Sequence, residues 1–216
     1  MSLLDRFKEK KPAVRRLEHP RDLLVGDMVE FALMGQAALG NRSFQVSKIW
    51  TLDLGGERHK RIYFQLDDTD CQIRLRVVDD NTFELGLEVY PDTLLKVFSE
   101  ADITTILDPD SGANHHLSAQ VSTSDLPQEL VGWVAENYRQ EGFNLAYRYE
   151  DDYRDKSLPE HMDGGEEGCD FAWLYSDDRQ HALEFRVFDG GRTEVHLCAY
   201  LPIRKIESLW PAKQQA

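Results

Sequence analysis

The densest set of groups able to do chemistry lies at residues 150–167. There Glu150, Asp151, Asp152, Asp155, Glu160, Asp163, Glu166 and Glu167 could gather a hard cation such as calcium through carboxylate oxygens. Their spacing matches no EF-hand loop, and a solvated insertion between strands accounts for them more simply. His161 and Cys169 supply two zinc-ligand types, but a structural zinc site needs a second pair of ligands that the sequence does not offer. His115 and His116 are adjacent, so their rings project apart and read as surface groups. Nucleophilic catalysis wants a serine or cysteine on a tight turn with a base in reach; the chain has no GxSxG elbow, and Ser111-Gly112 is ordinary turn chemistry. It also has no GxGxxG or GxxxxGK[ST] phosphate loop. Arg76 with Glu84 recurs as Arg186 with Glu194. A pair kept twice in one chain reads as a structural salt link rather than an active site occurring twice. No catalytic, cofactor-binding or metal-ligating set is therefore assigned, and no cofactor is implied.

The elements that carry these residues show an internal repeat. A shift of 110 positions superposes Asp67–Tyr90 on Asp177–Tyr200 without a gap, with eight of 24 positions identical, among them Arg76/Arg186, Val77/Val187, Glu84/Glu194, Leu87/Leu197 and Tyr90/Tyr200. Tyr63/Trp173, Ile73/Leu183, Leu75/Phe185, Val78/Phe188 and Leu85/Val195 keep apolar character. Both copies alternate with period two, the mark of strands with one buried face. Cys71, Ile73, Leu75 and Val77 point one way and Gln72, Arg74 and Arg76 the other; Phe83, Leu85, Leu87 and Val89 oppose Glu84, Glu88 and Tyr90. Residues facing each other across a ladder share a face, so Val77 pairs with Leu85 across a three-residue loop centred on Asn81, which makes Arg74 and Glu88 neighbours. Gly190-Gly191 supplies the left-handed backbone of the second turn.

Both hairpins run into a proline and a short helical pattern, at 91–98 and 202–209. Upstream, Leu24–Phe31 reads as a turn feeding a strand and Phe44–Trp50 alternates again, giving a first unit of about five strands. Residues 108–124, rich in Asp, Ser, Gly, Asn and Thr, read as a linker. Asp125 and Gln128 form a capping box before the apolar stripe Leu126, Leu130, Val131, Val134 and Tyr138, and Gly142 is the stop, which predicts a helix at about 126–140. Strand alternation resumes over 144–149. The expected fold is α+β, mainly antiparallel β. It comprises two tandem copies of a curved-sheet or small-barrel unit, each ending in a short helix, with the one longer helix leading the second copy. Its segments are a basic arm at 1–20, a first β-rich repeat at 21–107, the linker at 108–124, and a second repeat at 125–216 carrying the acidic insertion 150–168.

Composition bounds the class. With 216 residues, 41% hydrophobic and 30% charged, the chain is long and apolar enough to fold around a core. No apolar run approaches the roughly 18 residues of a membrane span, and Met1–Phe7 does not read as a secretory signal. Cys71, Cys169 and Cys198 form no CxxC pair and read as reduced thiols, so the cytoplasm is the expected compartment. A net charge of −14 argues against nucleic acid as a partner. The charge is uneven: residues 1–20 carry +3 and the remainder −17. Leu3, Leu4 and Phe7 share a helical face, so this arm could rest on anionic lipid or an acidic partner, although a frayed basic tail or one folded back on the acidic body explains it more simply.

The Met1–Phe7 start, the Gly26-Asp27-x-Val29 opening and the duplicated Arg-Val-x-Asp hairpins together resemble the YjfK-type bacterial proteins, a family of uncharacterised function. The resemblance implies no catalytic residues. It implies, by association with phage-shock-like coiled-coil proteins, a role at the inner face of the cell envelope. Two function classes follow. One is a non-catalytic binding or adaptor protein whose partner is another protein, with peripheral membrane contact through residues 1–20. The other is a small-ligand or cation-binding protein, or a hydrolase, with a site between the two repeats or over the 150–167 loop.

Overall fold

The alternating segments become eleven antiparallel strands in a computed structural model that describes residues 15–36, 39–55, 59–112, 114–159 and 166–212. In chain order they are β1 (Met28–Phe31), β2 (Ser43–Asp53), β3 (Lys60–Asp67), β4 (Gln72–Val77), β5 (Thr82–Val89), β6 (His116–Ser118), β7 (Asn137–Tyr149), β8 (Glu166–Ser176), β9 (His181–Phe188), β10 (Thr193–Pro202) and β11 (Ile206–Trp210). They lie side by side as β11-β1-β2-β3-β4-β5-β10-β9-β8-β7-β6. Because β2 is long enough to leave β1 and continue onto β7, Thr51–Asp53 pair with Tyr147–Tyr149 and eight strands close into a ring. Strands from both halves of the chain are thus hydrogen-bonded in one sheet. The second seam is the β5–β10 ladder, in which Leu87 lies opposite Leu197.

One face of this sheet is apolar. Phe44, Phe64, Leu75, Phe83, Leu85, Leu183, Phe185 and Leu197 lie on it, and Phe31 of β1 folds over to stack on Phe83 at 5.9 Å. Two helices, α1 (Pro91–Leu94) and α2 (Glu100–Leu107), add Leu94 and Ile106 to the same core.

Several sequence expectations are corrected. No helix spans 126–140: two single 3-10 turns (Thr123–Asp125 and Gln128–Leu130) precede β7. Gly132 is left-handed at φ +83° and packs on the carbonyl of Gly35 so closely that helical continuation is blocked. Leu130, Trp133 and Val134 still reach the apolar core, from a loop. The stretch 202–209 makes one 3-10 turn, Ile203–Lys205, and then a strand, because the outer edge of β1 offers a ladder to β11. The linker 108–124 holds β6 and two 3-10 turns, while α2 falls where no separate helix was expected. The β4–β5 loop does have three residues but is centred on Asp80, so Val77 faces Phe83 and Arg74 faces Gly86 rather than Glu88. The side chain of Asp79 accepts from the Asn81 N–H at 2.7 Å and the Val78 N–H donates to Thr82 O at 2.9 Å, closing the loop one residue earlier. The second hairpin has the same loop length, with Gly190 and Gly191 at φ +81° and +83°.

Candidate functional site

The polar side of β4, β5, β9 and β10 was expected to meet water, yet ring closure turns it inward and buries it. Arg74, Glu84, Glu184 and Arg186 are among the most buried side chains in the protein. Glu184 on β9 is the hub. It accepts from Arg74 of β4, from Arg61 Nη1 of β3 at 2.6 Å, from Arg186 Nη2 at 3.2 Å and from the Tyr63 hydroxyl at 3.4 Å. Arg61 and Arg74 reach it from strands that are not its neighbours, so these contacts cross the enclosed space. Arg76 pairs with Glu84 directly across the ladder, and Arg186 lies 3.5 Å from Glu194, also its cross-strand partner. The two repeated salt links expected from sequence are both formed. Arg148 of β7 donates to Glu194 at 3.1 Å.

Aromatic rings complete the lining. The Arg186 guanidinium sits 5.0 Å from the Trp50 ring, 5.3 Å from Tyr63 and 5.8 Å from Phe171, and Arg74 sits 4.6 Å from Tyr63. Such faces attract guanidinium groups that have left water. Two glycines make the room: a Cβ on Gly86 would overlap the Arg74 side chain, and one on Gly142 would overlap the Trp173 indole.

The titration states follow from burial set against charge. Burial alone would raise the Glu184 carboxyl, but Arg74, Arg61 and Arg186 outweigh it and hold the group well below the usual carboxylate range. Burial pushes the Cys198 thiol well up, and it pushes Cys169 up to about 11, so neither is a thiolate nucleophile. His196 is driven well below its ordinary value by burial and then by Arg74, Arg186 and Arg148, so it is a neutral imidazole. Glu84, Glu184 and Cys198 stand close enough together to hold a metal ion. Arg74 Nη2 already occupies their midst, bonded to Glu184, 3.2 Å from Cys198 Sγ and 3.5 Å from Glu84. A guanidinium supplies the positive charge a cation would bring.

The other sequence candidates are dispersed. The acidic stretch does not converge: Glu150 pairs with Lys48 and Arg148, Asp152 with Arg154, and Glu167 with Arg192 at 2.6 Å. Residues 160–165, including His161, lie outside the described residues, and Cys169 is buried beside Phe171 and Trp50. His115 Nε2 is 3.0 Å from the Ser111 hydroxyl, and His116 is exposed on β6. Of the basic arm, residues 1–14 lie outside the described residues; Arg15 pairs with the buried carboxylate of Asp27.

Sequence reasoning missed the hub because it never compared the charges at equivalent positions: a shift of 110 places Arg74 on Glu184, an opposite-charge couple that pairs in space. No family model, curated protein or solved structure matches the chain. Among the described residues no helix is long and apolar enough to cross a membrane.

Proposed function

We propose that this chain is a non-catalytic binding protein, an adaptor that engages another protein. The observation that carries the reading is the end strand β11, paired only with β1 among the described residues and bordered by exposed Trp210, Leu24 and Val25. A strand with one free edge is a template for a partner strand. Asp27 ties this corner together, accepting from Arg15, from the Leu24 N–H at 2.7 Å and from the Ala212 N–H at 2.8 Å, so the basic arm joins the body beside that edge. The setting proposed is the one that the sequence resemblance to YjfK-type proteins implies, the inner face of the bacterial envelope beside a phage-shock-like coiled-coil partner.

On this reading the two halves are tandem copies of one unit. In support, β1 to β5 pair in the order that β6 to β10 repeat, and the β2–β3 and β7–β8 ladders each skip one residue, Ser47 and Glu141. The β5–β10 seam also pairs Leu87 with Leu197, two residues 110 apart. Tagged full-length protein, a form lacking residues 1–20 and the Trp210→Ser variant, each purified from native lysate with whatever accompanies it, test the adaptor. A membrane-associated protein captured by the full-length form and lost from the other two supports it. No reproducible partner, together with liposome binding unchanged by the deletion, removes it.

A second reading, a small-ligand-binding protein, is favoured by the enclosed polar face. Arg74 Nε and Nη1, Glu84 Oε1 and His196 Nδ1 are buried there with no hydrogen-bond partner among the described residues, and such groups are costly unless something satisfies them.

A further inference from the structure

The wall of the ring opens between β3 and β4. The β8–β9 ladder runs from Tyr175 opposite Ala182 down to Cys169 opposite Phe188, whereas the β3–β4 ladder stops at Phe64 opposite Leu75. Beyond that pair β3 follows β2 and β4 follows β5, so the two strands diverge and leave a cleft of about 270 Å³. Five cationic side chains line it: Arg21, Lys60, Arg61, Arg76 and Arg154. Among the described residues its lining holds no carboxylate, in a chain of net charge −14.

Not all five are free to bind. Arg154 is committed to Asp152 and to the carbonyls of Arg21 and Leu23, Arg21 reaches the exposed Asp80 at 2.6 Å, and Lys60 donates to the Lys156 carbonyl at 2.9 Å. Arg61 and Arg76 differ, because each belongs to the buried network and to the cleft. Arg61 spends Nη1 on Glu184 and Tyr63, and Arg76 spends Nε and Nη2 on Glu84 and the Tyr200 hydroxyl. Nε and Nη2 of Arg61 and Nη1 of Arg76 have no hydrogen-bond partner among the described residues. Behind them the buried part of the network sets Arg61, Arg74, Arg76, Arg148 and Arg186 against Glu84, Glu184 and Glu194, and Glu88 and Glu150 bring the balance only from the solvent side, away from the cleft lining. Val77 and Val78 give the mouth an apolar flank.

From this arrangement we infer that the β3–β4 cleft is a site for a small oxyanion of phosphomonoester type, clamped between Arg61 and Arg76 with its organic part against Val77 and Val78. Guanidinium groups offer paired N–H donors that match phosphate oxygens, and they do so best where water is partly excluded. The size suits a phosphate with a small substituent and is too small for a nucleotide. The inference rests on the ligand-binding reading and is independent of the adaptor.

The test is calorimetric titration of the full-length protein with inorganic phosphate, phenyl phosphate, neutral phenol and the cation phenyltrimethylammonium, alongside co-sedimentation with phosphatidylcholine vesicles with and without phosphatidic acid. The Val78→Asp variant sets a carboxylate in the mouth without removing an ion pair. Saturable binding of phenyl phosphate, weakened about tenfold by Val78→Asp and by rising salt, is the expected result. Retention on phosphatidic acid vesicles that free phenyl phosphate competes away identifies a lipid headgroup as the source, and binding of the free ester alone identifies a soluble one. Binding of phenol or the ammonium cation but not of either phosphate overturns the oxyanion and leaves a ligand site of another class. Phosphate binding that Val78→Asp leaves unchanged overturns the place.

Discussion

The β3–β4 cleft has a counterpart beside β8 and β9, and the two carry opposite charge. The second, of about 380 Å³, is lined by Glu166, Asp170 and Asp189 together with Cys169 and Phe188, where the first has its five cations. The backbone differs as well, with a continuous β8–β9 ladder where β3 and β4 part. Val78 is 40% exposed at the open ladder, while Phe188, 110 residues later, is 2% exposed at the closed one. Phe188 packs with Phe171 and Cys169, and that apolar contact holds the strands together. In the first half the long side chain of Arg61 instead crosses the interior to Glu184, and the Arg154 guanidinium lies over Phe64 at 5.2 Å. The same strand pattern therefore yields a sealed wall or an open one according to whether an aromatic or a cation stands at the end of the ladder.

The comparison breaks most severely at the hub. Glu184→Gln leaves Arg74 and Arg186 in the enclosed space without their shared carboxylate, a change that typically costs about 3–5 kcal/mol. Urea unfolding should show this loss, and the double variant Arg74→Met with Glu184→Met should recover most of it. On the surface of the second half, Glu167→Gln breaks an exposed pair with Arg192 and should cost no more than about 1 kcal/mol. Equal costs at the two sites would mean that the enclosed network is not what holds the halves together.

Next in size is Gly142→Ala. The added methyl overlaps the Trp173 indole, which is itself stacked on Phe171 at 5.3 Å, so the ring cannot shift without disturbing that contact. A destabilisation of about 1–3 kcal/mol is expected in thermal or urea melts.

Mild acid probes the hub through His196. Its pKa is depressed in the native protein, so below the ordinary value of 6.5 the unfolded chain takes up a proton that the native state refuses. Its contribution to stability is present above pH 6.5 and is lost as pH falls beneath it, by at most about 1.4 kcal/mol per pH unit until the native imidazole itself takes up the proton. Glu184, also depressed, adds a loss of the same sign only below its ordinary value of 4.5. His196→Gln should flatten the slope between pH 6.5 and 4.5 and leave the steeper acid limb; an unchanged slope would assign it to other groups.

Much of the sheet was legible in the sequence. Alternation placed Ile73, Leu75, Phe83 and Leu85 on the apolar face correctly, and the repeat of Arg76/Glu84 as Arg186/Glu194 identified two real ion pairs. Period-two alternation says which residues share a face but not whether the polar face meets water, since that depends on a closure between Thr51–Asp53 and Tyr147–Tyr149, far apart in sequence. The helix expected at 126–140 failed for a similar reason. Its apolar stripe was real, but the left-handed Gly132 against Gly35 and the ladder waiting for β7 decided the backbone. The cleft was not read from the sequence: Arg61 in place of Phe171 and Val78 in place of Phe188 mark the difference between the two ladder ends, but their meaning depends on where each ladder stops.

The smallest expected effect isolates the open wall from the fold. Val78→Asp alters a half-exposed position past the last β3–β4 pair; it keeps the backbone bond to Thr82 and its side chain belongs to neither apolar cluster, and surface changes of this kind usually stay within about 0.5 kcal/mol. The urea midpoint should therefore match that of the unaltered protein. If stability instead fell by more than about 1 kcal/mol, the flank of the cleft would be helping to hold β3 and β4 together. The open ladder would then be a structural seam like its counterpart at Phe188, and the contrast between the two halves would reduce to one of charge.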